Sequence, residues 1–395
     1  MLKLNKRWVK AREVSRYWAF HTVDRFAGIP LVFLLFPFKS FLARQSAGYK
    51  KILIVKLTLM GDTILLTPTL RAIREKFPHA KICIILSGVN AEVLRNCPYI
   101  DEEIITPLEK LINPFYLLGL IKRIRKEKFE LTIDFEQWFR VSALISFFSL
   151  AKERIGFKTP KQYRHYLFTK TALHRKDMHE IDSFLDLARV LNIETTNRNL
   201  ELWPQEENLR EAKDCLVRLG VNSDFMILHT EVSATGRQRQ WPIEKFAELG
   251  NRIREKYHLK VLIASTAGGS PEAEKLNAFL GKEAGLLTGI RLLTLFVIAG
   301  QARLVVTNNT GFMHLAASAK TAVIGLHGPT SPVKWGPWGG KTIAIKSSLA
   351  CSPCLYLGFE YGCKTNKCMQ EIQVNEVLMQ AENFLSENLL RRPKP

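Results

Sequence analysis

Asp62 stands in "LTLMGD", directly after the apolar run "KILIVKL", where a strand gives way to a helix. A carboxylate there can cap the helix, because it meets free N–H groups at the positive end of the helix dipole. At the carboxyl end of a strand it can equally act as a general base toward a bound hydroxyl. A second constellation lies at "TNNTGFMHLAA", Thr307 to Ala317, where an apolar strand ends in Asn309, Thr310 and Gly311 and a helix begins. Unsatisfied N–H groups at such a helix start suit a phosphate; Asn309 or Thr310 as an ordinary N-cap is the plainer alternative. His314, one turn into that helix, can donate to the same phosphate or serve as a structural histidine.

Three further stretches carry chemistry-bearing residues. "GRQRQWP", Gly236 to Pro242, is a basic loop before a helix. Its Arg237 and Arg239 have the fork geometry that clamps a diphosphate, and a solvated basic loop is the alternative. Glu272 in "GGSPEAEKL" starts a helix after the strand "KVLIAST" and can accept hydrogen bonds from ribose or sugar hydroxyls, or act as a first-turn carboxylate. Cys351, Cys354, Cys363 and Cys368 form a C-x2-C-x8-C-x4-C cluster. Structural zinc, reduced thiols and disulfides are all open for it. Cys83, Cys97 and Cys215 sit singly in apolar or helical settings and read as core. Seven cysteines in a long chain argue against a secreted disulfide scaffold.

Short apolar strands alternating with helices must position these residues. "KILIVKL", "KICIIL" and "LTIDF" punctuate the first half, and "FMILHT", "KVLIAS", "GLLTG", "RLVVTN" and "AVIGLHG" the second. Helices are expected over 243–257, 272–280, 311–319 and about 374–388. This alternation predicts parallel sheets with helices on both faces. The polar stretch "ETTNRNLELWPQEEN" separates the halves. The expected organisation is an extension over 1–49, one doubly wound domain over 50–200, a second over 201–375, and a C-terminal helix and tail over 376–395. Two such domains facing each other leave a cleft, and ligands of such sheets bind beyond the carboxyl ends of the strands.

The chain has 395 residues, 47% hydrophobic, with a formal net charge of +20. That suits two domains and an anionic partner. No zinc-finger spacing, Arg-Gly tail or RNA-binding aromatic signature accompanies the charge, so nucleic acid ranks below a membrane surface or a phosphorylated substrate. Residues 1–50 carry ten Lys/Arg against two acidic residues. The uncharged run "FAGIPLVFLLFPF" has 13 residues, too few to cross a bilayer, which takes roughly 20. With Trp8, Tyr17, Trp18 and Phe20 beside basic residues, the segment reads as an interfacial anchor on the inner, cytoplasmic leaflet, or else a helix packed on the body of the protein.

The blocks "ILIVKLTLMGDTILLTPTLRAIREKFPHAKI", "ERIGFKTPKQYRHYLFT", "QWPIEKFAEL", "VVTNNTGFMHLAASAKTAVIGLHGPTSPVKWGPWG" and the cysteine cluster resemble, in order, glycosyltransferase family 9, the heptosyltransferases of lipopolysaccharide core synthesis. The resemblance covers about residues 51–380. It implies a GT-B fold of two Rossmann-like domains, acceptor-binding first and donor-binding second. It also implies an inverting transferase that needs no catalytic metal or cofactor and uses a nucleotide-activated heptose, commonly ADP-heptose. Asp62 matches the family's proposed base, and Arg239 a basic residue at the donor diphosphate. Glu272 matches an acidic residue near the nucleoside, and Thr310, Gly311 and His314 match the donor-phosphate turn. The basic segment "KTPKQYRHY", with Lys158, Lys161 and Arg164, suits an anionic lipid-linked acceptor. Two departures stand out. Asn309 occupies the place of the family's aspartate, and "TEVSATG" replaces a glycine-rich turn. Asn309 and the anchor-like extension motivate a rival reading, a catalytically silent sugar-nucleotide binder that scaffolds a membrane assembly, which the retained Asp62 opposes. A dehydrogenase is set aside because "KLTLMGD" lacks G-x-G-x-x-G.

Overall fold

The computed structural model describes residues 18–39, 48–233, 236–265, 268–357, 363 and 365–389. Trp8, Tyr17, the stretch 40–47 of the basic extension, Ala234 and Thr235 of "TEVSATG", and the tail 390–395 lie outside the described residues. The chain divides into two compact units, Met1–Arg198 and Asn199–Pro395.

In the first unit, helical residues 18–26 lead into α1 (Gly28–Leu35), followed by β1 (Lys51–Val55), α2 (Met60–Lys76), β2 (Lys81–Leu86), α3 (Gly88–Leu94), β3 (Glu102–Ile105), α4 (Pro114–Glu127), β4 (Leu131–Asp134), α5 (Arg140–Phe148), β5 (Glu153–Lys158), β6 (Lys170–Leu173) and α6 (Glu180–Arg189). Its six strands are ordered β3-β2-β1-β4-β5-β6, all pairs parallel. The runs Ile52–Val55 and Leu131–Ile133 are buried without alternation, as expected of strands covered on both faces.

The second unit repeats the plan with α7 (Glu206–Arg218), β7 (Phe225–His229), α8 (Ile243–Tyr257), β8 (Lys260–Ala264), α9 (Pro271–Leu280), β9 (Gly285–Leu287), α10 (Leu292–Gln301), β10 (Leu304–Asn308), α11 (Gly311–Ser318), β11 (Val323–His327), α12 (Pro332–Trp335), β12 (Thr342–Lys346), α13 (Lys367–Glu371) and α14 (Val374–Leu389). Its order is β12-β11-β10-β7-β8-β9, again parallel. Trp241, wholly buried, joins the core shared by α8, the sheet and α14, and its indole N–H donates to the Ile372 carbonyl at 3.0 Å.

In each sheet the first strand lies beside the fourth, so strand order reverses between β1 and β4, and between β7 and β10. Beyond the carboxyl ends of such a pair the following loops part in opposite directions and leave room for a ligand. Asp62 and the 309–311 turn follow β1 and β10, placing one at each switch point.

One expectation changes. The 13-residue apolar run is part of a longer helix, Trp18–Phe38, whose 21 residues are long and apolar enough to cross a membrane by length and composition. Periodicity hid this because Trp18 to Arg25 interleaves charged and aromatic residues.

Candidate active site

At the first switch point, Lys56 follows β1, and Glu136 and Gln137 follow β4. The Lys56 ammonium, wholly buried, reaches Asp62 Oδ2 at 3.2 Å, Glu136 Oε1 at 3.4 Å and Gln137 Oε1 at 3.4 Å. Burial works against its charge, but Glu136 and Asp62 outweigh that and hold its pKa above the ordinary value. The Gln137 amide donates to Asp62 Oδ2 at 2.9 Å and to Glu180 Oε1 at 2.6 Å. Glu180 in turn meets His174 Nε2 at 3.0 Å. Both bonds to Asp62 fall on Oδ2, so Oδ1 has no partner among the described residues.

Burial pushes the Asp62 carboxyl up to about 6, Lys56 pulls against it, and Glu180 adds to the rise. A carboxylate of that basicity is ionised near neutral pH yet still accepts a proton readily. The turn carrying it is pinned and strained. Glu136 accepts from the Thr58 N–H at 2.8 Å, and Leu59, next in line, sits at φ +68°, a region L-residues rarely occupy. No side chain caps α2; Asp62 lies inside its first turn, so the capping alternative is not what the carboxylate does here.

The basic segment after β5 is split. Lys158 and Lys161 are exposed. Arg164, expected to meet the acceptor, is instead wholly buried, 2.5 Å from Asp134 and 2.9 Å from Ser142 Oγ, with its guanidinium over the Phe168 ring. This corrects its role: a guanidinium without exposed surface neutralises Asp134 rather than a solvent-borne anion.

At the second switch point, Thr310 is the N-cap of α11, yet no side chain caps that helix, and Thr310 Oγ1 is buried without a hydrogen-bond partner. The first N–H groups of α11 therefore lack side-chain acceptors. Arg239 folds over this turn, donating from Nη1 to the Asn309 carbonyl at 3.2 Å and from Nη2 to Ser233 Oγ at 3.0 Å. Gly236 makes this possible, since a Cβ there would come 2.2 Å from Arg239 Nη2. Asn309 points inward. Its amide donates to His327 Nδ1 at 2.9 Å and Thr330 Oγ1 at 3.0 Å, tying the loop after β11 to the turn after β10. His314 is buried in α11, and Arg237 lies in the same short helical turn as Arg239. Glu272 lies in the first turn of α9, whose N-cap is Ser270.

The sequence did not reveal several groups that line this edge. His229 stacks on Phe312 at 4.5 Å, and burial lowers its pKa to about 4, against the pull of Glu231. Glu231 hydrogen-bonds Ser265, linking the loops after β7 and β8. Asn308 holds Trp241 N–H and the Thr230 carbonyl. His229 and Asn308 close strands and Glu231 follows one, a signal readable only once strand order is known. A hollow lined by Asn222, Ser223, Asp224, Tyr257 and His258 precedes β7 and β8 and so lies at the opposite edge of the sheet.

Cys351, Cys354 and Cys363 are exposed, Cys368 is buried, and none is in a disulfide. Among the described residues no three His, Cys, Asp or Glu side chains converge closely enough to hold a metal ion. The cysteines are still neighbours: burial raises the Cys368 thiol, and the other three add to the rise.

A model of glycosyltransferase family 9 (heptosyltransferase) matches residues 117–365, more than half of the chain. The lipooligosaccharide heptosyltransferase 2 of Campylobacter jejuni is 25% identical over 350 residues, spanning 86% of this chain and 100% of that protein. Among solved structures, a family 9 glycosyl transferase of Veillonella parvula superposes with a TM-score of 0.72 at 22% identity, over 87% of this chain and 99% of that one. The Escherichia coli heptosyltransferase WaaC, determined with ADP, superposes with a TM-score of 0.64 at 17% identity, over 86% and 99%. These likenesses show the GT-B fold. With the two switch-point sites and the family match, the chain belongs to glycosyltransferase family 9, the heptosyltransferases, and is a glycosyltransferase.

Proposed function

We propose that this protein transfers a heptose, with inversion and without a catalytic metal, from ADP-heptose to an anionic lipid-linked glycan of the lipopolysaccharide core type, at the inner face of the cytoplasmic membrane. The observation that carries the reading is Asp62, with one oxygen tethered by Lys56 and Gln137 and its carboxyl pushed up to about 6. Asp62 takes the proton of an acceptor hydroxyl while that oxygen bonds to the anomeric carbon. The bond from that carbon to the diphosphate breaks, and its electron pair leaves with the diphosphate. Arg239, Thr310 and the free N–H groups beginning α11 with Gly311 stabilise the departing charge, and His314 supports the same turn. Glu272 is assigned to the nucleoside, and Lys158 and Lys161 to acceptor anions.

ADP as the nucleotude is supported by the nucleotide named with the WaaC structure. The test is thermal stabilisation by ADP, UDP, GDP and CMP, then turnover. A ligand at 100 times its Kd stabilises by roughly 2.7 kcal/mol. Selective response to ADP is expected; selective response to another nucleotide moves the donor, response without turnover favours the silent binder, and no response to any nucleotide overturns the donor assignment. We further propose that Cys351, Cys354, Cys363 and Cys368 close on a structural zinc ion. About one zinc per chain by elemental analysis is expected, and four titratable thiols in a metal-free protein would reject it.

A further inference from the structure

We propose that the helix Trp18–Phe38 lies in the plane of an anionic bilayer surface, its outward apolar face docked there, and holds the segment Lys158–Tyr166 beside the lipid headgroups. Only the value of this placement for an acceptor rests on the lipid-linked acceptor proposed above.

Phe20, Asp24, Gly28 and Val32 are buried and spaced four residues apart, which puts them on one stripe of a helix. Phe20 meets Phe139 edge-on at 4.9 Å. Asp24 Oδ1 accepts from the N–H groups of Arg140 and Val141 at 2.9 and 2.8 Å, capping α5 from a distant part of the chain, while Oδ2 pairs with Arg140 at 3.0 Å. A Cβ on Gly28 would stand 2.9 Å from Arg140 Cβ, so only glycine lets the helix approach this closely. Val32 packs with Ala143, Leu167 and Phe168.

The other face is open and apolar: Phe26, Leu34, Phe38 and Phe33 are 73%, 67%, 60% and 48% exposed. Large apolar side chains left exposed together on one helix mark an interaction site. The helix is long enough to cross a bilayer, but crossing would strip Asp24 from Arg140 and leave both charges unpaired in apolar surroundings. One stripe fastened to the protein and the opposite one bare is the arrangement of a helix lying in an interface.

The charges fit an anionic surface. Arg25, Lys158 and Lys161 are exposed. Phe33 touches the rings of Tyr163 and Tyr166 at 5.6 and 5.4 Å, and Arg140 Nη2 donates to Gln162 Oε1 at 2.6 Å. The helix and the basic segment therefore move as one piece, and the surface that receives Phe26 and Leu34 brings headgroup phosphates toward the lysines.

The experiment is flotation of the full-length chain with phosphatidylcholine vesicles, with and without phosphatidylglycerol, for the wild type and a Phe26→Glu/Leu34→Glu double variant. Both positions are exposed, so the melting temperature stays unchanged. The wild type is expected to float with anionic vesicles, and the variant's bound fraction to fall roughly tenfold. A wild type that does not bind, or a variant that binds equally, overturns the proposal. So does retention of the wild type in cell membranes after alkaline carbonate washing, which would mean that the helix spans. Turnover of a lipid-free acceptor fragment is read separately and should be equal in the two proteins. If neither turns it over, the catalytic reading fails while flotation still decides the docking.

Discussion

Asp62 combines two properties that usually exclude each other: it is almost wholly buried, and it is hydrogen-bonded in the form that carries charge. Burial wins, so the ionised form is costly and basic. A carboxyl raised above its ordinary value of 3.8 to about 6 costs the folded state stability as pH rises through that window. Asp62→Asn should therefore melt no lower than wild type above pH 6, while kcat falls by roughly a hundred- to ten-thousandfold. A large loss of melting temperature would make Asp62 structural instead. The acid limb of kcat/KM should lie near the carboxyl's raised value, and Glu180→Gln, which removes a like charge, should move that limb to lower pH. A limb that stays put would remove Glu180 from the account. At the proposed donor turn, Arg239→Ala removes a charge-assisted hydrogen-bond donor worth about 1.5–3 kcal/mol. ADP should then bind roughly ten- to a hundredfold more weakly by calorimetry. Gly236→Ala should weaken ADP in the same direction, because its methyl displaces the same guanidinium.

Among elements, α5 depends on a residue more than a hundred positions away. Asp24 supplies both the N-terminal acceptor and the counter-charge for Arg140. Asp24→Ala leaves a buried guanidinium unpaired and an N-terminus uncapped, a loss of about 3–5 kcal/mol. Chemical denaturation should show it as a lower midpoint with an unchanged slope. A drop below 1 kcal/mol, near the exposed-pair range, would mean that water replaces the carboxylate and the helix is only loosely fastened. Asn309 has a similar tethering role between the loops after β10 and β11. Asn309 is thus, in the folded chain, an internal tie between these loops. The two loops that present the site groups in each unit come from the first and fourth strands of its sheet, which neighbour each other only because of the crossover order.

For the whole molecule, the net charge of +20 and the basic extension make anionic surfaces a natural partner. Surface attraction of this kind is screened over a Debye length of about 10 Å at 0.1 M salt. Vesicle binding should weaken steadily with added NaCl, and a salt-independent curve would assign the attraction to the apolar face alone. The two doubly wound units, the strands "KILIVKL", "FMILHT" and "RLVVTN", and the location of Asp62 and the 309–311 turn at strand ends were readable from the chain, because period and strand-end polarity are local properties. So was the family, through contiguous blocks. What tertiary structure decided were the relations between distant residues. Gln137 meets Asp62 and Lys56 because β1 pairs with β4, and Glu180 joins them from α6, which packs on α2; Arg164 is withdrawn from solvent by Asp134; the apolar N-terminal run is extended and fastened by Asp24 on Arg140. A pKa, a buried ion pair and an exposed face each depend on which surfaces meet, and a linear pattern carries no record of that until the strands are ordered in space.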